Sequence, residues 1–135
     1  MRLRRIVGIA VAIVGVAFVG EAIAASNSIH PSVGFVKAGK PYTITVSGYA
    51  VGTDRVWLFA DYQSCGSLAT ERARDSRAGV YFIHEVHHSF SLKSKGWTSG
   101  LKAKDHACAY LQKGSKPVGS STGIVAHGFK TYTVH

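Results

Sequence analysis

The stretch "YFIHEVHHSF", Tyr81 to Phe90, decides the fold, because it contains His84, Glu85 and His88 in the spacing H-E-x-x-H. Zinc peptidases carry that motif on a helix, where positions i and i+4 lie about 6 Å apart and both imidazoles reach one ion at about 2.0 to 2.1 Å. In a strand the same two residues stand about 13 Å apart, at roughly 3.3 Å per residue. One tetrahedral ion cannot then be held by both. The flanks, Val80 to Ile83 and Ser89 to Leu92, are strand formers without a capping residue, and they predict the extended form. The longer metzincin pattern would need glycine and histidine at positions 91 and 94, where this chain has Ser91 and Ser94, and no glutamate follows Glu85. The expectation is a polar strand face with no metal, no cofactor and no catalysis. The alternative is a small secreted zinc metallohydrolase using His84, Glu85 and His88, with His106 or His127 as an accidental further ligand.

Outward from this segment the pattern stays extended. "PYTITVSG" alternates Tyr42, Ile44 and Val46 with Thr43, Thr45 and Ser47, the period of a strand with one buried face, and Gly48 is expected to end it. "RVWLFA" is a short continuous apolar run, so Val56 to Ala60 reads as a central strand covered on both sides. "SLATERARDSRA", from Ser67, has helix formers and an N-cap residue and predicts a short helical crossover. "KGW", Lys95 to Trp97, is a turn signal. "HACAYLQ" places Cys108, Tyr110 and Gln112 on one face and Ala107, Ala109 and Leu111 on the other. "GSKPVGSSTG", Gly114 to Gly123, is an exposed connection, and "IVAHGFKTYTV" closes the chain with a bulge expected at Gly128. About seven short strands and one helical crossover predict an all-β antiparallel sandwich.

The first residues are of another kind. Arg2, Arg4 and Arg5 precede an apolar run from Ile6 to Gly20 and the small-residue stretch "AIAAS". These are the three parts of a signal peptide helix, expected over residues 1–25 and followed by one domain over residues 26–135. The run is shorter than the roughly 20 residues of a membrane span, so membrane attachment arises only if the leader stays uncleaved. Export places Cys65 and Cys108 where disulfides persist, and with two cysteines the pairing is forced. The redox spacing C-x-x-C is absent.

The 135 residues carry a net charge of +9, and losing three arginines and Glu21 with the leader leaves +7. For a protein secreted or held in the cell envelope, that excess points to anionic envelope polymers, or to another envelope protein, before nucleic acid. Arg72, Arg74 and Arg77 on the crossover, with Lys113 and Lys116 near the late loop, form a ligand-binding candidate if the two segments meet; arginine forks suit phosphate and carboxylate. Tyr49, Tyr62 and Trp97 are aromatics near predicted loops that could stack a sugar or a base. "GSSTG", Gly119 to Gly123, matches G-x-S-x-G, but a strand follows it and no acid lies beyond Ser121, so it reads as a loop.

"KPYTITVSG", Trp57 in "RVWLFA", Cys65 and "CAYL" at Cys108 to Leu111 together give a chain that resembles the secreted bacterial immunoglobulin-like domains over most of residues 26–135. The resemblance implies an immunoglobulin-like β-sandwich in an export setting, and no activity. Trp57 precedes Cys65, and Tyr110 stands two residues after Cys108, so the antibody-type inter-sheet bridge and tyrosine corner are not carried over.

Overall fold

The computed structural model describes residues 26–78, 81–117 and 120–135. The leader expected over residues 1–25 lies outside them. The strands are β1 (Ser28–Val33), β2 (Pro41–Tyr42), β3 (Ile44–Asp61), β4 (Tyr81–Lys93), β5 (Trp97–Thr98), β6 (Lys104–Lys113) and β7 (Ile124–Thr133), and the helix α1 (Leu68–Ala78) joins β3 to β4. The protein is therefore mostly β, and every pairing between strands is antiparallel. No helix among the described residues is long and apolar enough to cross a membrane.

β3 organises the rest. Its first half lies between β1, in register Ile29↔Gly48, and the end of β4, in register Leu92↔Val46. Its second half lies between the start of β4, Val56↔His84, and β6, Val56↔Leu111. The ladder with β4 breaks between Ala50 and Asp54, where Val51 to Thr53 oppose the single residue His87. On the opposite strand His88 takes φ 63°, a left-handed conformation that histidine adopts more readily than most residues. Bulges of this kind bend the strands that carry them. The bend lays β1 across β6 and β7, so the first half of the sheet covers the second.

Two glycines permit that closure. A Cβ at Gly48 would meet the Ser28 carbonyl oxygen at 2.0 Å, and one at Gly128 would meet the Ile29 carbonyl oxygen at 2.3 Å. The Ser28–Ile29 backbone is thus seated between two strands at distances only a bare backbone allows. Both positions correct the sequence expectation. Gly48 does not end its strand, because β3 runs on for thirteen residues to Asp61. Gly128 is in regular register with Ala109, and the irregularity of β7 lies at Val125, skipped between Leu111↔Ala126 and Gln112↔Ile124.

The centre of the sheet is covered on both faces, as its unbroken apolar run requires. Val56, Leu58, Ala107, Ala109 and Leu111 face the folded-over half, joining Ile29, Ile44, Val46 and Val86 in the larger core. Trp57, Phe59, Cys108 and Tyr110 face the other way and pack with Leu68 of α1 in a smaller core. At about 0.8 kcal/mol per buried CH₂, these two layers supply the main drive for folding.

Leu68 is the sole large apolar side chain buried from α1, so the helix needs other fastenings. Ser67 caps it: its Oγ accepts from the Thr70 amide at 3.2 Å, and its carbonyl accepts from the Glu71 amide at 2.9 Å. Glu71 reaches back to accept from the Gly66 amide at 2.8 Å. Just upstream, the Cys65–Cys108 disulfide bolts the helix entry to the middle of β6.

Candidate functional site

His84, Glu85 and His88 all lie on β4, exposed, in the strand that their flanks predict. His84 stands opposite Val56 with its ring stacked 6.1 Å from Phe82, whereas His88 stands beyond the bulge, opposite Ala50, stacked 5.8 Å from Tyr49. The left-handed turn at His88 interrupts the alternation that would put both rings on one face, and it packs the His87 and His88 rings 3.7 Å apart instead. Among the described residues, no group of three or more His, Cys, Asp or Glu is placed to hold a metal ion.

The five basic candidates have separate fates. α1 and the late loop do meet, since the Ala69 amide donates to Ser121 Oγ at 3.0 Å. Arg72 lies over the Trp57 ring at 5.0 Å, a cation–π distance, while remaining exposed. Arg74 turns inward: Nη1 donates to Asp61 Oδ2 at 2.7 Å, Glu71 Oε2 at 2.9 Å and the Ser64 carbonyl at 2.9 Å. Arg77 lies in α1, and its side chain is outside what the structure describes. Lys113 and Lys116 are exposed, and their carbonyls accept from Arg55.

The carboxyls that engage Arg74 behave as a pair. Burial, and then the neighbouring Asp61, push the Glu71 carboxyl up to about 7. Burial also pushes Asp61 up, but hydrogen bonds from Glu71, the Gln63 amide and Arg74 outweigh it and hold Asp61 below its ordinary value. A proton shared between the two, with one partly exposed guanidinium across both, leaves the cluster near neutral overall, which is how the two carboxyls tolerate burial.

Gln112 is the polar centre of the same face and is fully buried. Its Oε1 accepts from Trp57 Nε1 at 3.1 Å, and its Nε2 lies 3.0 to 3.1 Å from the carbonyls of Pro117, Ser120 and Thr122. Arg55 binds the base of the same loop through the Gly114 carbonyl at 3.0 Å. The exposed connection predicted over Gly114 to Gly123 is thus held from beneath by one amide and one guanidinium.

At the far end of the sheet the structure assembles a cleft of about 390 Å³ whose walls include Tyr42, Tyr62, Trp97, Leu101, Lys104 and Asp105. The two-residue ladder of β2 and β5 pairs Tyr42 with Trp97 at its back. Backbone bonds from Gly39 to Ser99 and from Val134 to Ala103 hold the loop that forms its side, and Tyr42 and Tyr132 share a hydroxyl bond of 2.7 Å beneath. Tyr62 and Leu101 stand at the rim, each 75% exposed. Trp97 is buried, yet its Nε1–H has no acceptor among the described residues, a condition worth about 1 to 3 kcal/mol against the fold when nothing else meets it. Burial pushes the Asp105 carboxyl up, with a Ser99 hydrogen bond opposing. Tyr62 and Trp97 were visible in the sequence as loop aromatics; Asp105 and Leu101 carried no signal there, because the strand ends that bring them together pair at long range. Tyr49, the third such aromatic, is remote from the cleft, against His88.

No family model matches the chain, and no curated protein matches it.

Proposed function

We propose that this chain is an exported, noncatalytic module of the immunoglobulin-like β-sandwich type, released from a signal peptide helix over residues 1–25, that binds anionic polymers of the cell envelope through its basic surface. The observation that carries this reading is how the two signs of charge are distributed. Of the six acids after residue 25, Asp54, Asp61, Glu71 and Asp105 are buried, whereas ten lysines and arginines, from Lys37 to Lys130, have exposed side chains. The positive field at the surface therefore has few carboxylates nearby to cancel it, and it extends about a Debye length, roughly 8 to 10 Å, into physiological salt. The disulfide supports an oxidising compartment.

The test is retention of the purified protein on an immobilised polyanion such as heparin. Strong retention at low salt with elution at rising salt is expected, and combined charge reversal at Arg72, Lys113 and Lys116 should move elution to lower salt. Absence of retention at low ionic strength would overturn the reading.

A further inference from the structure

From the end of the fold that carries Tyr62 and Leu101 we infer that the protein docks on anionic lipid surfaces, placing exposed apolar side chains in the headgroup layer within a collar of lysines. Four segments meet there: residues 34–40 between β1 and β2, residues 62–64 after β3, residues 94–103 around β5, and the residues after β7. Backbone bonds fix their meeting. The Gly39 amide donates to the Ser99 carbonyl, Ala38 to His135, His135 to Val36 and Val134 to Ala103. Tyr62 and Leu101 line one cleft, and Phe35 stacks on His135 at 4.7 Å.

Two observations select lipid as the occupant. Phe35, Tyr62 and Leu101 are 76%, 75% and 75% exposed, whereas no other large apolar side chain among the described residues exceeds the 51% of Val51. The three most exposed apolar groups thus share one end, where covering them removes apolar area from water; the tyrosine, with a wet hydroxyl on an apolar ring, suits the depth of the headgroups. Lys37, Lys40, Lys95, Lys102 and Lys104 are exposed on or beside the same segments, which carry no acidic side chain. Asp61 and Asp105, at the adjoining strand ends, are buried. Lysine stems lie along apolar surface while their ammonium groups reach lipid phosphates. The core of a protein interface is depleted in lysine, whereas stable seating on a bilayer takes an apolar and a basic contribution together. This contact goes beyond the polyanion reading, because a soluble polymer engages the charges and leaves the apolar tips in water.

The experiment is co-sedimentation of the purified protein with vesicles of mixed phosphatidylglycerol and phosphatidylcholine, against vesicles of phosphatidylcholine alone. Leu101→Trp supplies a reporter at the contact, since the native Trp57 and Trp97 are buried. Binding to the mixed vesicles is expected, with emission of the L101W protein shifted to shorter wavelength and quenched by brominated acyl chains. Phe35→Ser combined with Leu101→Ser, at exposed positions whose loss leaves the core intact, should weaken vesicle binding about tenfold or more while leaving elution from heparin unmoved. Lys102→Glu combined with Lys104→Glu should weaken binding to the mixed vesicles about tenfold. No binding to the mixed vesicles, bound protein whose L101W emission stays in place, or a serine pair that binds as the native chain does would each overturn the assignment. So would a concentration-dependent dimer that the serine pair abolishes, because the patch would then belong to a second copy. Heparin retention is read separately, and either reading can fail alone.

Discussion

Replacing Glu71 by glutamine should remove a pH dependence of stability that the native chain carries. Glu71 is 1% exposed, and its carboxyl sits near 7 in the folded protein against an ordinary 4.5. A carboxyl raised in this way binds a proton more tightly folded than unfolded, so its contribution is full below about pH 4.5 and is lost as pH climbs through 7. Linkage over that interval gives a loss of about 2.5 kcal/mol between about pH 5 and pH 8. Asp61, held below its ordinary value, acts with the opposite sign and at lower pH, where stability falls as it protonates. It therefore does not change charge in the interval of the test. Glutamine copies the protonated carboxyl: its oxygen can accept from the Gly66 amide and Arg74, and its N–H₂ can donate to Asp61. The assay is urea unfolding at several pH values for both proteins, the difference between them removing whatever the two have in common. With a slope of about 1 to 3 kcal/mol per molar, the native midpoint should fall by about 1 M or more relative to the variant as pH rises. Parallel midpoints across the range would refute the shared-proton account of Glu71 and Asp61.

Other expectations follow from single features. Serine at both Cys65 and Cys108 should lower stability by about 4 kcal/mol in the chain-entropy model, for a loop with a sequence separation of 43, read from denaturant midpoints. Gln112→Leu keeps the volume but removes the acceptor of the Trp57 indole N–H and one donor to each of three loop carbonyls; a loss of about 2 to 4 kcal/mol and faster proteolysis between Lys113 and Gly123 are expected. Gly128→Ala drives a methyl into the Ile29 carbonyl and should destabilise by about 1 to 3 kcal/mol, with an unchanged midpoint counting against the close crossing of β1 and β7. Calorimetric titration with zinc should show no tight one-to-one uptake dependent on His84 and His88; such uptake, abolished by alanine at either, would reinstate the hydrolase.

What could be read beforehand was local. The alternation through Ile44 and Val46, the unbroken run from Val56 to Phe59 and the two-faced strand around Cys108 each state which neighbours they need, because strand periodicity is written in adjacent residues. Ser67 likewise announced the start of α1. The junctions were not legible. Gly48 looks like a stop in one dimension and proves to be a contact point in three, since the residue that demands its bare backbone, Ser28, arrives from twenty positions away. The bend at Ala50 to Asp54 has the same character: it depends on unequal chain lengths in two strands more than thirty residues apart. Basic residues were countable, but their engagement was not, because Arg74 finds Asp61 only once β3 and α1 are assembled.

The loop above Gln112 shows what such a support makes possible. All three groups that the amide grips are main-chain oxygens of Pro117, Ser120 and Thr122. The positions of Pro117, Ser120 and Thr122 are therefore held from beneath through atoms common to every amino acid. Lineages of this domain would be free to exchange the displayed residues while retaining the frame, much as a printing block holds interchangeable type.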